Sequence, residues 1–321
     1  MYDSSILEKR PVGVIFSLNS TSITKQERIF FQQIVPLGYI LFSRNFKSYN
    51  QIKNLIKDLK TISRNKNALI FIDQEGGRVQ RLKDEFFKKI PPQSFFEFFY
   101  NQNPKLAIKY AEYCSSFIGY QLKEVGVDVN FSPVLDLRVK YANKIIGDRA
   151  FSSDPKIVSE LGYAYCKGLR KSGIIAVPKH FPGHGRSKFD SHKKLPKIKI
   201  SKAELFNTDL MPFIRCKKEL FFMIAHIVYS KIDNVVATYS KEIVKELLIK
   251  ELNFKGLIIS DDLSMCALEG TMASRTKKTY ESGCDIVLYC AGKLTEMKEI
   301  YENGKVLSKK KFDHLIQCKK K

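Results

Sequence analysis

Short apolar runs recur along this chain of 321 residues, and within them apolar and polar positions do not alternate. They occupy residues 12–18, 38–43, 68–72, 127–137, 173–177, 220–225, 256–259 and 284–289. A strand that is apolar on both faces must be buried on both, which is the environment of a parallel sheet lined by helices. Most of the intervals carry helical signals. Residues 22–33 are predicted as a helix, and residues 49–62 place Ile52, Leu55, Ile56 and Leu59 on one stripe. A longer helix is predicted over 104–125. Another starts at Asp154-Pro155, with an Asp cap and Pro at the first helical position, and runs to about residue 171. Eight βα units in a chain of this length predict a closed (β/α)8 TIM-type barrel rather than an open sheet. No linker, repeat or low-complexity stretch divides the chain, so residues 1–321 read as one barrel domain. The tail from about residue 307 is basic and is expected to fray after a final helix.

Polar residues gather where apolar runs end. The third run leads into Asp73-Gln74-Glu75-Gly76-Gly77-Arg78-Val79-Gln80-Arg81, which taken alone also suits a tight Gly-Gly turn bearing surface charge. The fifth leads into Lys179-His180-Phe181-Pro182-Gly183-His184-Gly185-Arg186-Ser187-Lys188-Phe189-Asp190-Ser191-His192, which holds three of the five histidines. Pro182, Gly183 and Gly185 forbid a regular helix there and predict an irregular, mobile loop. That loop brings Asp190 beside His192, and an Asp next to a His can fix the imidazole tautomer needed for general acid/base work. His180 and His184 have the i, i+4 spacing of a zinc site, but Pro182-Gly183 breaks the helix that spacing needs, and no Cys or Glu completes a ligand set. The glycines lack the Walker spacing of a phosphate loop. The sixth run ends at His226, read as a core residue or one behind the site, with His184 as a loop-folding residue and Asp136 as structural. The seventh ends in Ser260-Asp261-Asp262. Strict alternation places Leu257, Ile259 and Asp261 on one side, Ser260 and Asp262 on the other, so one aspartate faces the lumen while its neighbour caps the next turn. In a (β/α)8 barrel the carboxyl ends of strands carry the active site, and all these clusters fall there.

Lys179-His180-Phe181-Pro182-Gly183-His184-Gly185, followed by Asp190-Ser191-His192 and Leu195-Pro196, resembles the signature of glycoside hydrolase family 3, and in particular its bacterial β-N-acetylhexosaminidases of the NagZ type. Arg186-Ser187 departs from that pattern, where an acidic residue followed by Thr is common. The resemblance extends from about residue 12 to residue 288. It implies that Asp261, in a Ser/Thr-Asp-x-Leu-x-Met motif completed by Leu263 and Met265, is the nucleophile. It implies that His192 is the general acid/base with Asp190 as its partner, and that Asp73, Arg81, Arg149, Lys179 and His180 hold the sugar. The implied activity removes terminal β-linked N-acetylglucosamine from peptidoglycan fragments during cell-wall recycling in the bacterial cytoplasm, with no metal or organic cofactor. Because alternation keeps Asp261 and Asp262 from facing one lumen together, direct attack by Asp261, a covalent glycosyl-enzyme and retention are expected rather than assistance by the acetamide. A phosphorylase that passes the sugar to inorganic phosphate is the alternative.

Composition adds limits. With 44% hydrophobic residues the chain can bury a full core, and no segment reaches the length of a membrane span. The first residues do not read as a signal peptide. Seven scattered cysteines fit a reducing compartment and a cytoplasmic location. A net charge of +22 raises the question of a non-enzymatic nucleic-acid binder, but lysines are spread over nearly every element rather than gathered on one face. The expected partner is a small carbohydrate, with no specific nucleic acid and no membrane, and the expected state is a monomer.

Overall fold

The computed structural model describes residues 10–189 and 195–319. Among them, eight parallel strands make the central sheet: β1 (Val12–Ser17), β2 (Pro36–Leu41), β3 (Leu69–Ile72), β4 (Val129–Asn130), β5 (Ile175–Ala176), β6 (Phe221–Ile224), β7 (Leu257–Asp262) and β8 (Ile286–Tyr289). Their order is β5-β4-β3-β2-β1-β8-β7-β6. The two edge strands meet just beyond β5. Phe181 N donates to Met223 O (2.8 Å) and Ala225 N to Phe181 O (2.9 Å), so the sheet closes into a barrel through the segment that carries Lys179 and His180. All eight apolar runs of the sequence become strands. The fourth and fifth keep only two residues each in the ladder and continue as irregular chain toward the carboxyl mouth.

Both faces of the strands are buried, which is why polar alternation is missing. Inside the barrel lie Ile15, Ile40, Phe71, Phe131, Phe221, Met223, Ile259 and Leu288. Outside, Phe16, Tyr39, Ile70, Phe222, Ile258 and Val287 pack on the helical layer. The helices are α1 (Lys25–Gln33), α2 (Tyr49–Ile62), α3 (Phe95–Gln102), α4 (Pro104–Glu124), α5 (Pro155–Lys171), α6 (Lys202–Asn207), α7 (Leu210–Arg215), α8 (Met272–Ser282), α9 (Leu294–Glu302) and α10 (Lys309–Lys319), with a π-helical segment at Glu242–Glu251. α1 begins later than expected because Thr24 caps it, its side chain accepting from Glu27 N while Glu27 reaches back to Thr24 N. The predicted Asp154 cap and Pro155 start of α5 are present.

The final helix expected in the basic tail is present, and α10 turns its apolar side into the amino-terminal mouth of the barrel. Leu307, Phe312 and Leu315 are buried there with the interior cluster, while Lys311 reaches Asp285 (3.1 Å) at the foot of β8. Lysines on the outer side of a helix do not prevent burial of its other face, and each such apolar side chain contributes about 1.5–3 kcal/mol.

Candidate active site

At the carboxyl mouth the chain builds a cavity of about 210 Å³. It is lined by Asp73, Glu75, Arg78, Arg81, Arg149, Lys179, His180, Asp261 and Asp262, with Phe42, Phe131, Met223 and Cys290 among the less polar walls. Asp73 follows β3. The next residues turn back as an antiparallel hairpin, Gln74–Gly76 against Val79–Gln80, which Gly76 (φ 98°) and Gly77 (φ 57°) make possible. Gln74 holds the hairpin shut by accepting from Arg81 N (2.7 Å) and Leu82 N (3.1 Å). Arg78 ties its tip to the loop before Arg149 through Asp148 (2.8 Å) and the Ile145 carbonyl (2.7 Å).

A row of alternating charges crosses the cavity wall. Arg81 Nη2 lies 3.2 Å from Asp73 Oδ2, and Lys179 Nζ lies 2.7 Å from both Asp73 Oδ1 and Glu75 Oε1. Arg149 then grips Glu75 bidentately, Nε at 2.8 Å and Nη2 at 2.9 Å. Burial alone would raise both carboxyls. For Asp73, Lys179 and then Arg81 outweigh it and hold the group well below the usual carboxylate range. For Glu75, Arg149 and then Lys179 bring it down to about 2. Both are therefore anions, and they can accept from hydroxyls only through lone pairs the cations leave.

His180 is oriented from behind. Its Nδ1 lies 2.7 Å from Asp136 Oδ2, and its own backbone N–H reaches Asp136 Oδ1 at 3.2 Å. The carboxylate requires the proton on Nδ1, so Nε2 of the neutral ring accepts from a ligand and donates only as imidazolium. Asp136 also accepts from His184 N (2.7 Å). It is buried, and against that desolvation His180 and then His184 hold its carboxyl low.

The loop beyond His180 is irregular, as predicted, but the described part is not loose. Phe181 to Gly185 are buried. Tyr229 Oη donates to Gly183 O (2.8 Å), and a Cβ at Gly185 would lie 1.8 Å from Leu137 O, so only glycine fits. The unusual Arg186 is accommodated by Asp209 (2.8 Å) and Glu204 (3.2 Å). Asp190 and His192, the expected acid/base pair, lie outside the described residues.

On β7 the alternation argument fails at one point. Ile259 pairs with Ile286, but Asp262 pairs with Leu288, so an extra residue bulges into β7 and both Asp261 and Asp262 line the cavity. Their carboxylates still differ. Asp262 accepts from Ser264 N (2.9 Å) and Cys290 N (2.9 Å), which commits it to holding the turn, and burial pushes its carboxyl up. Asp261 accepts from Asp262 N (2.8 Å) and is half-buried at the cavity wall. His226 sits behind this turn: Nε2 meets the Asp262 carbonyl (3.0 Å) and Nδ1 meets the Thr238 hydroxyl (2.6 Å).

The structure thus gathers Asp73, Arg81, Arg149, Lys179, His180 and Asp261 round one cavity. Glu75 was missed. The signal was available, since Asp73 and Glu75 are two apart in extended chain and so share a face. No cluster of His, Cys, Asp and Glu among the described residues could hold a metal ion, and no described helix is long and apolar enough to cross a membrane.

Comparison with known proteins points in one direction. The model of the glycosyl hydrolase family 3 N-terminal domain matches residues 17–317. A beta-hexosaminidase of Thioalkalivibrio sulfidiphilus is 37% identical over 281 residues, covering 86% of this chain and 80% of that protein. One of Haemophilus influenzae is 36% identical over 283 residues, 87% of this chain and 79% of that one. Among solved structures, NagZ from Neisseria gonorrhoeae in complex with N-trifluoroacetyl-D-glucosamine superposes with a TM-score of 0.90 at 31% identity, over 97% of this chain and 91% of that one.

Proposed function

The chain belongs to glycosyl hydrolase family 3, and from that premise we propose that it is a retaining exo-β-N-acetylglucosaminidase acting on peptidoglycan fragments. The observation that carries the reading is Asp261, a half-buried carboxylate on the wall of the cavity that also presents Asp73, Lys179, His180 and Arg149. A sugar ring filling that cavity meets these fixed donors and acceptors together with Asp261. Asp261 then attacks the anomeric carbon, the glycosidic oxygen leaves with a proton from His192, and water, deprotonated by the same residue, releases the sugar with its configuration retained. Asp190 holds the His192 ring for both steps.

Charge balance favours water over phosphate as the acceptor. The four described cations of the cavity share three carboxylates: Arg78 pairs with Asp148, Arg81 with Asp73, Lys179 with Asp73 and Glu75, and Arg149 with Glu75. Asp261 and Asp262 add further negative charge, so an incoming phosphate dianion meets net repulsion. The recycling reading carries with it a reaction in the cytoplasm. Seven cysteines scattered along the chain suit that compartment. The test is to incubate the protein with a chromogenic β-N-acetylglucosaminide with and without phosphate and to follow the first-formed anomer by NMR. β-N-acetylglucosamine in both mixtures is expected. Sugar 1-phosphate as the main product, or an α-anomer formed first, would overturn the acceptor or the stereochemistry respectively.

A further inference from the structure

Glu75 is a carboxylate that the reaction does not consume, yet it is 1% exposed and contacts two cations of the cavity. A buried anion of this kind is tolerated only when its oxygens are satisfied. Here Oε2 accepts from Arg149 Nε, and Oε1 accepts from both Arg149 Nη2 and Lys179 Nζ. Its backbone is fixed as well: the Tyr165 hydroxyl donates to Glu75 O (2.8 Å), and a Cβ on the following Gly76 would lie 2.6 Å from Pro91 O.

Counting donors shows what this arrangement does. An ammonium has three N–H bonds in tetrahedral directions. On Lys179, one points at Asp73 Oδ1 and one at Glu75 Oε1, so the third has a single remaining direction. A guanidinium has five N–H bonds. Arg149 spends two on Glu75 and one on the Ile145 carbonyl (3.1 Å), which leaves two. Without Glu75 the ammonium could turn about its one remaining acceptor, and Arg149 would lose the clasp that fixes its plane.

We propose that Glu75 is a positioning residue for sugar recognition: it is the shared counter-ion that aims the one free N–H of Lys179 and the two free N–H groups of Arg149 at hydroxyl and acetamide oxygens of the bound sugar. The proposal rests on the reading of the cavity as a sugar site. Its chemistry is specific, because the carboxylate accepts from all three N–H groups, whereas an amide of the same shape, its oxygen at the shared Oε1 position, turns an NH2 against Arg149 Nε and removes the charge that both cations face.

The experiment compares wild type with Glu75→Gln on aryl β-N-acetylglucosaminides in which single hydroxyls, or the acetamide, have been removed. In wild type at least one deletion is expected to lower kcat/KM about 10-fold to 100-fold, the range of a hydrogen bond to a charged group. In Glu75→Gln the intact substrate should lose activity, chiefly through KM, and the same deletion should cost much less, because the donor it met is no longer aimed. Glu75→Asp keeps the charge and is expected to restore part of the deletion penalty. A purely structural role would slow all substrates by one factor and leave every deletion penalty at its wild-type value, and that result overturns the proposal. If Glu75→Gln does not fold, Arg149→Lys loosens the clasp from the other end. It should then erase the penalty for the group Arg149 meets and keep the one Lys179 meets; unchanged penalties would again overturn the idea. Wild-type protein that cleaves none of these sugars would refute the reaction instead, and calorimetric binding of the same sugars would then carry the Glu75 comparison.

Discussion

The two mouths of the barrel are opposite solutions to one problem. At the carboxyl mouth the strands end in side chains of alternating charge, Arg81, Asp73, Lys179, Glu75 and Arg149, and leave a cavity open. At the amino mouth α10 inserts Phe312 and Leu315, and ion pairs such as Lys311 with Asp285 and Lys60 with Asp128 stand at the rim. Ordered polar groups aimed at empty space gain their value only when something binds, whereas apolar groups that fill space gain theirs at folding. Chemistry and stability are thereby separated along the barrel axis.

That separation can be broken from either end. Replacing Asp261 by Asn should have the largest effect, a loss of at least about 1000-fold in kcat with little change in melting temperature, since the proposed nucleophile is removed and its shape kept. Steady-state kinetics beside a thermal melt would check both halves. Phe312→Ala at the other mouth should do the reverse, costing about 3–5 kcal/mol of stability while kcat/KM below the melting range stays at the wild-type value. If it lowered kcat/KM well below melting, the two mouths would be coupled. A smaller effect sharpens the picture on the carboxyl side. Burial, and then the neighbouring His180, lowers His184 to about 4, below its ordinary value of 6.5. The folded-state value is the depressed one, so this group's contribution to stability is full above pH 6.5 and is lost as pH falls toward 4. Glu75, lowered to about 2, loses its contribution only from pH 4.5 downward. Melting temperature followed against pH should therefore begin to fall near pH 6.5, and His184→Asn should flatten the curve between 6.5 and 4 while leaving the steeper acid limb.

How much of this was legible depends on the kind of signal. The barrel followed from eight doubly apolar runs, because burial on two faces writes itself into consecutive residues. The polar ends of those runs placed Asp73, Arg81, Lys179, His180 and Asp261 at one mouth, and Arg149 came from the family resemblance. Glu75 was passed over because a Glu beside two glycines looks like a solvated turn, although its i, i+2 spacing from Asp73 already put the two on one face. The β7 bulge that turns Asp262 toward the cavity leaves no residue signature, since it is a matter of pairing with β8. The amino-terminal plug was hidden by its own lysines. Asp190 and His192 rest on the resemblance.

The barrel's register also sets an order of events. β1 is covered on one side by β2, the next strand in the chain, but on the other by β8, nearly the last, and Leu307 N donates to Pro11 O only after that. A chain growing from its amino end therefore carries an uncovered strand edge and an open apolar mouth through almost the whole of its synthesis, the two surfaces on which nascent chains pair with one another. Lys179 and Asp73 follow β5 and β3, with only β4 between them, and can meet as soon as those strands pair, but Asp261 comes with β7. Catalytic competence, on this topology, arrives late.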